Sequence, residues 1–147
     1  MKKTAVIYWS GTGNTEAMAN AVAEGMKEAG ADVSVMTATE AASLDPSTYD
    51  GLAFGCPAMG SEVLEESEFQ PMWDDVKGKL SGKSIVLFGS YGWGTGEWMD
   101  YWKDDAVASG ATLAADPLIL NGSPDDAGLT QLSLIHISEP TRLLSIS

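Results

Sequence analysis

Thiol and imidazole are almost missing from this sequence: one cysteine, Cys56, and one histidine, His136, stand among 147 residues. A lone cysteine closes no internal disulfide and excludes a metal site built from several thiolates. Bases are also scarce, with 8 Lys and Arg against 21 Asp and Glu, a formal charge of −13. Such a field repels nucleic-acid phosphates and anionic membranes and attracts basic proteins. No apolar run approaches the ~18 residues that a membrane span requires. The opening Met1-Lys2-Lys3-Thr4, before Ala5-Val6-Ile7-Tyr8-Trp9, has too short an apolar part for a signal peptide and lacks a small-residue cleavage site. A cytoplasmic protein is therefore expected. There is no internal repeat and no low-complexity linker, and 44% hydrophobic with 20% charged residues fits one globular domain.

What is present alternates. Ala5 to Trp9 is a short run of β-branched and aromatic residues, the pattern of a strand buried on both faces. From Asn14 to Ala29 the period becomes helical: Met18, Val22, Met26 and Ala29 share a face, Glu16, Glu24, Lys27 and Glu28 are left for solvent, and Gly30 ends the helix. Strands are predicted at Asp32–Met36, at Leu52–Gly55 after the turn-forming Asp45-Pro46-Ser47, and at Ile85–Phe88. Helices are predicted at Phe69–Val76 and at Glu97–Ala108, the latter with Trp98, Trp102 and Ala106 four residues apart. Thr112 to Leu120 is a fifth extended segment, interrupted near Asp116-Pro117. Alternating strands and helices imply parallel strands with helices on both faces, and ligands in such sheets sit beyond the carboxyl ends of the strands.

Residues 132–147, LSLIHISEPTRLLSIS, break the pattern. A closing helix is expected here, yet no helical period is sustained and Pro140 would interrupt one. The segment reads as an artefact of fusion or read-through, so His136 within it is given no catalytic weight.

Three loops follow the predicted strand ends. In Ser10-Gly11-Thr12-Gly13-Asn14-Thr15, two glycines allow close backbone approach, while hydroxyls, an amide and the free N–H groups of the next helix converge. That is a phosphate cradle of uncharged donors. It is neither a nucleotide P-loop, which needs a lysine, nor a dinucleotide fingerprint, because the position of the third glycine holds Glu16. The second loop is Pro57-Ala58-Met59-Gly60-Ser61-Glu62, and the third is Ser90-Tyr91-Gly92-Trp93-Gly94-Thr95-Gly96. An indole among glycines at a sheet end suits stacking on a flat ligand, the alternative being a surface or core-rim side chain. Cys56 reads as a small buried thiol.

YWSGTGNTE (Tyr8 to Glu16), GCPAMGSEVLEESEF (Gly55 to Phe69) and LFGSYGWGTGEWM (Leu87 to Met99), in this order, resemble the short-chain flavodoxins over residues 1–131. The resemblance implies a three-layer α/β fold, a doubly wound five-stranded parallel sheet in the order 2-1-3-4-5, with the final helix in doubt. It implies a low-potential one-electron carrier that is not an enzyme, with FMN as cofactor, working through a neutral semiquinone and an anionic hydroquinone. By the same resemblance, Ser10, Gly11, Thr12, Gly13, Asn14 and Thr15 would surround the FMN phosphate. Met59 would cover the inner face of the isoalloxazine, Trp93 the outer face, and Glu62 would accept the flavin N3–H. Backbone groups of Pro57, Ala58, Ser61, Tyr91, Gly92 and Gly94 would border the ring. Gly60 would turn its carbonyl toward N5, and Ser90 would support the phosphate or the loop. No metal is implied.

Six acids and no base lie between Glu62 and Asp75, and Glu97, Asp100, Asp104 and Asp105 are relieved locally only by Lys103. Beside a flavin, these charges would depress the potential of the second electron and steer transient encounters with basic patches on reductases and electron acceptors, the chain being a monomer. Two other readings use the same topology. A flavin-dependent quinone reductase would need a nicotinamide or substrate pocket. A receiver-like regulatory module would need acids after the first strand, where Ser10-Gly11-Thr12 stands.

Overall fold

The computed structural model describes residues 3–9, 13–28, 30–57, 68–91, 97–113 and 117–121. Strand β1 (Lys3–Tyr8) leads to helix α1 (Asn14–Glu28) and strand β2 (Asp32–Thr37). Two 3₁₀ turns, Glu40–Ser43 and Pro46–Thr48, carry the chain to β3 (Gly51–Gly55). Helix α2 (Phe69–Lys77), β4 (Ser84–Tyr91), α3 (Glu97–Ala108), β5 (Thr112–Leu113) and β6 (Leu118–Asn121) complete the described elements.

The sheet runs β2-β1-β3-β4-β5, with β6 also on β4, and every pairing is parallel. The expected order is thus observed, the fifth position being shared by two short strands. Thr112 and Leu113 pair with Ser84 and Ile85, and Leu118–Asn121 pair with Phe88–Tyr91. Pro117, without an N–H to donate, directly precedes the second piece. Strand β4 is longer than its apolar run because Gly89, Ser90 and Tyr91 continue the ladder against β6.

Strand residues alternate between two cores, as a two-residue period requires. Val6, Ala53, Val86 and Phe88 face α1, where they meet Met18, Ala19, Val22, Ala23 and Met26. Burial of each larger α1 side chain stabilises the fold by about 1.5–3 kcal/mol. Ala5, Ile7, Leu52, Phe54, Ile85 and Leu87 face the opposite layer, which contributes Phe69, Met72, Trp73 and Val76 from α2 and Trp98, Met99, Trp102 and Ala106 from α3. Phe54, Trp73, Trp102 and Phe69 form a chain of edge-to-face rings 5.2–5.6 Å apart. Helix α1 closes where Gly30 N–H donates to Lys27 O and Ala31 N–H to Met26 O, both at 3.0 Å.

The two outer helices are tied together by Asp105. Its carboxylate accepts the Trp73 indole N–H at 2.8 Å and the Lys77 ammonium at 3.0 and 3.2 Å. That hydrogen bond is the main reason the Lys77 ammonium titrates above its ordinary range. Asp105, which local sequence leaves next to Lys103 alone, is therefore partnered across 28 residues. Lys77, the last residue of α2, and Lys79, two residues beyond it, also compensate Asp74 and Asp75, at 3.4 and 3.9 Å.

Candidate functional site

The register aligns Tyr8 and Gly55, the carboxyl ends of β1 and β3, with Phe88 of β4, which runs three residues further to Tyr91. The chain leaves β1 toward β2 on one side, and β3 lies on the other, so the gap above β1 and β3 is a topological switch point. Helix α1 is the next element after β1 and brings its N-terminus, the positive end of its dipole, to this edge.

Gly13 immediately precedes the helix with φ +95°, a left-handed conformation that a Cβ would penalise, and no atom of the described residues lies within 4 Å of where that Cβ would be. Its carbonyl caps the first turn by accepting Ala17 N–H at 3.0 Å. Thr15 is buried, and its hydroxyl lies 3.3 Å from that of Ser90, itself buried at the end of β4. The structure thus brings together two of the predicted site residues, from the first and third loops, that are 75 positions apart. Asn14 is the first residue of α1 and is half-buried. Pro57 and Tyr91 stand where the second and third loops begin, both half-buried. Ser10, Gly11, Thr12, Ala58, Met59, Gly60, Ser61, Glu62, Gly92, Trp93 and Gly94 lie outside the described residues.

The electrostatics of the edge suit a cradle of neutral donors. Lys27 is in the last turn of α1, about 20 Å from its N-terminus. Lys3 begins β1, about 17 Å from the strand's carboxyl end. The Glu16 carboxylate accepts the Tyr8 hydroxyl at 3.0 Å. Partial burial, that hydrogen bond and the nearby Glu16 and Glu40 charges hold the Tyr8 hydroxyl protonated beyond its ordinary range.

Sequence reasoning missed the position of Trp98 relative to this edge. Its helical spacing marked it as core, and it is buried. Its indole N–H also donates to the Cys56 carbonyl at 3.2 Å, just before the second loop. The Cys56 thiol is buried, as expected, and points its weak donor at Pro57 O, 3.6 Å away.

Compared with known proteins, residues 6–131 match the flavodoxin family model. The chain belongs to the flavodoxin family. It is 49% identical over 122 residues to the flavodoxin of Megasphaera elsdenii, covering 83% of this chain and 88% of that one. It is 45% identical to the flavodoxin of Clostridium beijerinckii over the same shares. The solution structure of the two-electron reduced Megasphaera elsdenii flavodoxin superposes with a TM-score of 0.81 at 46% identity, covering 89% of this chain and 96% of that one. As a flavodoxin, the chain is an FMN-dependent electron carrier and not a catalytic enzyme. The left-handed Gly13, the helix N-terminus and the buried Thr15–Ser90 hydroxyls fit the phosphate end of that cofactor. No helix among the described residues is long and apolar enough to cross a membrane.

Proposed function

We propose that the FMN phosphate is held by Ser10, Gly11, Thr12, Gly13, Asn14 and Thr15, with Ser90 supporting Thr15 from β4. The observation that carries this reading is the buried Thr15–Ser90 hydroxyl pair at the first turn of α1, above the switch point. A hydroxyl that is buried and within reach of another is oriented in advance, so its second hydrogen bond can be offered to an anion. Each such bond to a charged group contributes about 1.5–3 kcal/mol. Met59 and Trp93 enclose the ring, Glu62 accepts N3–H, and the Gly60 carbonyl meets N5. Pro57, Ala58, Ser61, Tyr91, Gly92 and Gly94 form the walls. FMN supplies the one-electron chemistry, and the chain's residues grip it, exclude water and set its potential.

The acids act in two ways under this reading. A carboxylate ~10 Å from a bound anion costs it about 0.4 kcal/mol in water-like dielectric, or roughly 20 mV for a one-electron couple. Several such charges favour a low potential. The outer side of α3 exposes Glu97, Asp100 and Asp104 together with Tyr101 at 64% and Val107 at 54%. Acids around an exposed aromatic suit transient docking of basic reductases and acceptors by a monomeric carrier in the cytoplasm. Residues 1–131 form the functional unit and 132–147 lie outside it, a division that the extent of the family match favours.

The test is a titration of flavin-free protein with FMN and with riboflavin, which lacks the phosphate. FMN should bind far more tightly, and Thr15→Ala should narrow the gap by about tenfold. Equal affinities in the wild type would overturn the phosphate assignment.

A further inference from the structure

Trp98 is buried in the first turn of α3, and its side chain reaches the roots of two loops at once. Its indole N–H donates to Cys56 O at 3.2 Å, and its ring lies 5.7 Å from that of Tyr91, tilted by 47°. Cys56 N–H in turn donates to Phe88 O at 3.2 Å, extending the β3–β4 ladder by one residue. The contact is tight. A Cβ on Gly89 would sit 2.2 Å from Cys56 O and 3.0 Å from Trp98 Cζ2, so only glycine leaves room for the indole and the carbonyl to meet.

We propose that Trp98 is a positioning residue for the flavin ring, acting by fixing the Cys56–Pro57 peptide from which the second loop departs. The proposal rests on the FMN site described above. A peptide group is planar, so holding the Cys56 carbonyl orients the whole unit as far as the Pro57 nitrogen. The proline ring then fixes the next φ near −65°. The Cys56 thiol restrains the following torsion through its contact with Pro57 O at 3.6 Å. Three successive constraints therefore aim the chain before it reaches Met59 and Gly60, two and three residues beyond Pro57. Such preorganisation lowers the cost of ordering a loop around a ligand. A phenylalanine could fill much of the same volume, but it brings no donor to Cys56 O.

The experiment compares the wild type with Trp98→Phe, measuring affinity for FMN and for riboflavin and the two reduction potentials of the FMN-loaded protein. The expected result is a loss of about tenfold for both flavins, with the interval between the potentials altered. Both ligands should suffer, because Trp98 acts at the ring end and not on the phosphate. Unchanged affinities and potentials, whatever the melting temperature does, would overturn the proposal, as would a loss confined to FMN. Should Trp98→Phe fail to fold, the indole N–H of the ¹⁵N-labelled wild type supplies the test. Riboflavin should shift that resonance and slow its exchange with solvent, and an unmoved signal would refute the role. A wild type that binds neither flavin sinks the site itself, and this proposal with it.

Discussion

The hydroxyls of Thr15 and Ser90 lie 3.3 Å apart, both buried, joining the first turn of α1 to the end of β4. Ser90→Ala should weaken FMN binding about five- to tenfold, as expected for one orphaned buried hydroxyl. Riboflavin affinity should stay within about twofold, since riboflavin has no phosphate for Thr15 to hold. Parallel flavin-fluorescence titrations separate the two outcomes, and an equal loss for both ligands would move Ser90 to the ring.

Gly89→Ala should destabilise the fold by about 1–3 kcal/mol or more, because the new methyl meets the Cys56 backbone carbonyl, which cannot swing aside. Gly78→Ala is the control. Gly78 has φ −67° and no atom of the described residues within 4 Å of an added Cβ, so stability should be unchanged or slightly raised. Urea unfolding at matched slopes measures both.

Alkaline stability should depend on Lys77 and Tyr8. Both groups titrate higher in the folded protein, Lys77 chiefly because of its hydrogen bond to Asp105 and Tyr8 chiefly because of burial. A raised folded value means that the contribution is whole below the ordinary value, 10.5 for Lys77 and 10.0 for Tyr8, and is lost as pH climbs through the elevated one. Asp105→Ala should cost about 1–2 kcal/mol at pH 8, from a partly exposed ion pair and the Trp73 hydrogen bond, and should flatten part of the fall toward pH 11. Tyr8→Phe should flatten the remainder. A fall equally steep in the double variant would show that other groups carry it.

Gly60→Ala should bring the two one-electron potentials of the FMN-loaded protein closer together. A carbonyl that turns toward N5 passes through backbone angles that a Cβ disfavours. Trp93→Ala should weaken FMN binding and move both potentials. Wild-type potentials in Gly60→Ala would remove the carbonyl's role, and wild-type behaviour in Trp93→Ala would remove the stacking.

Periodicity made the layers legible. The limits of α3 at Glu97 and Ala108 match the spacing of Trp98, Trp102 and Ala106, since a buried helical face is written every four residues. The end of β4 was hidden, because Gly89 and Ser90 look like loop and join the sheet only through β6, some 30 residues on. Partnerships between distant elements were equally illegible. Nothing near Asp105 announces Trp73 and Lys77, and a tryptophan in helical register does not reveal that its indole holds Cys56. The proposed phosphate loop stands out in the sequence because close approach and uncharged donors demand particular residues in an unbroken run.

The decisive measurement is stepwise dithionite reduction of the protein incubated with FMN, followed by its visible spectrum. A tightly bound yellow chromophore in one-to-one ratio is expected, reduced in two successive one-electron steps at resolved potentials. A folded protein that emerges colourless from FMN would contradict it.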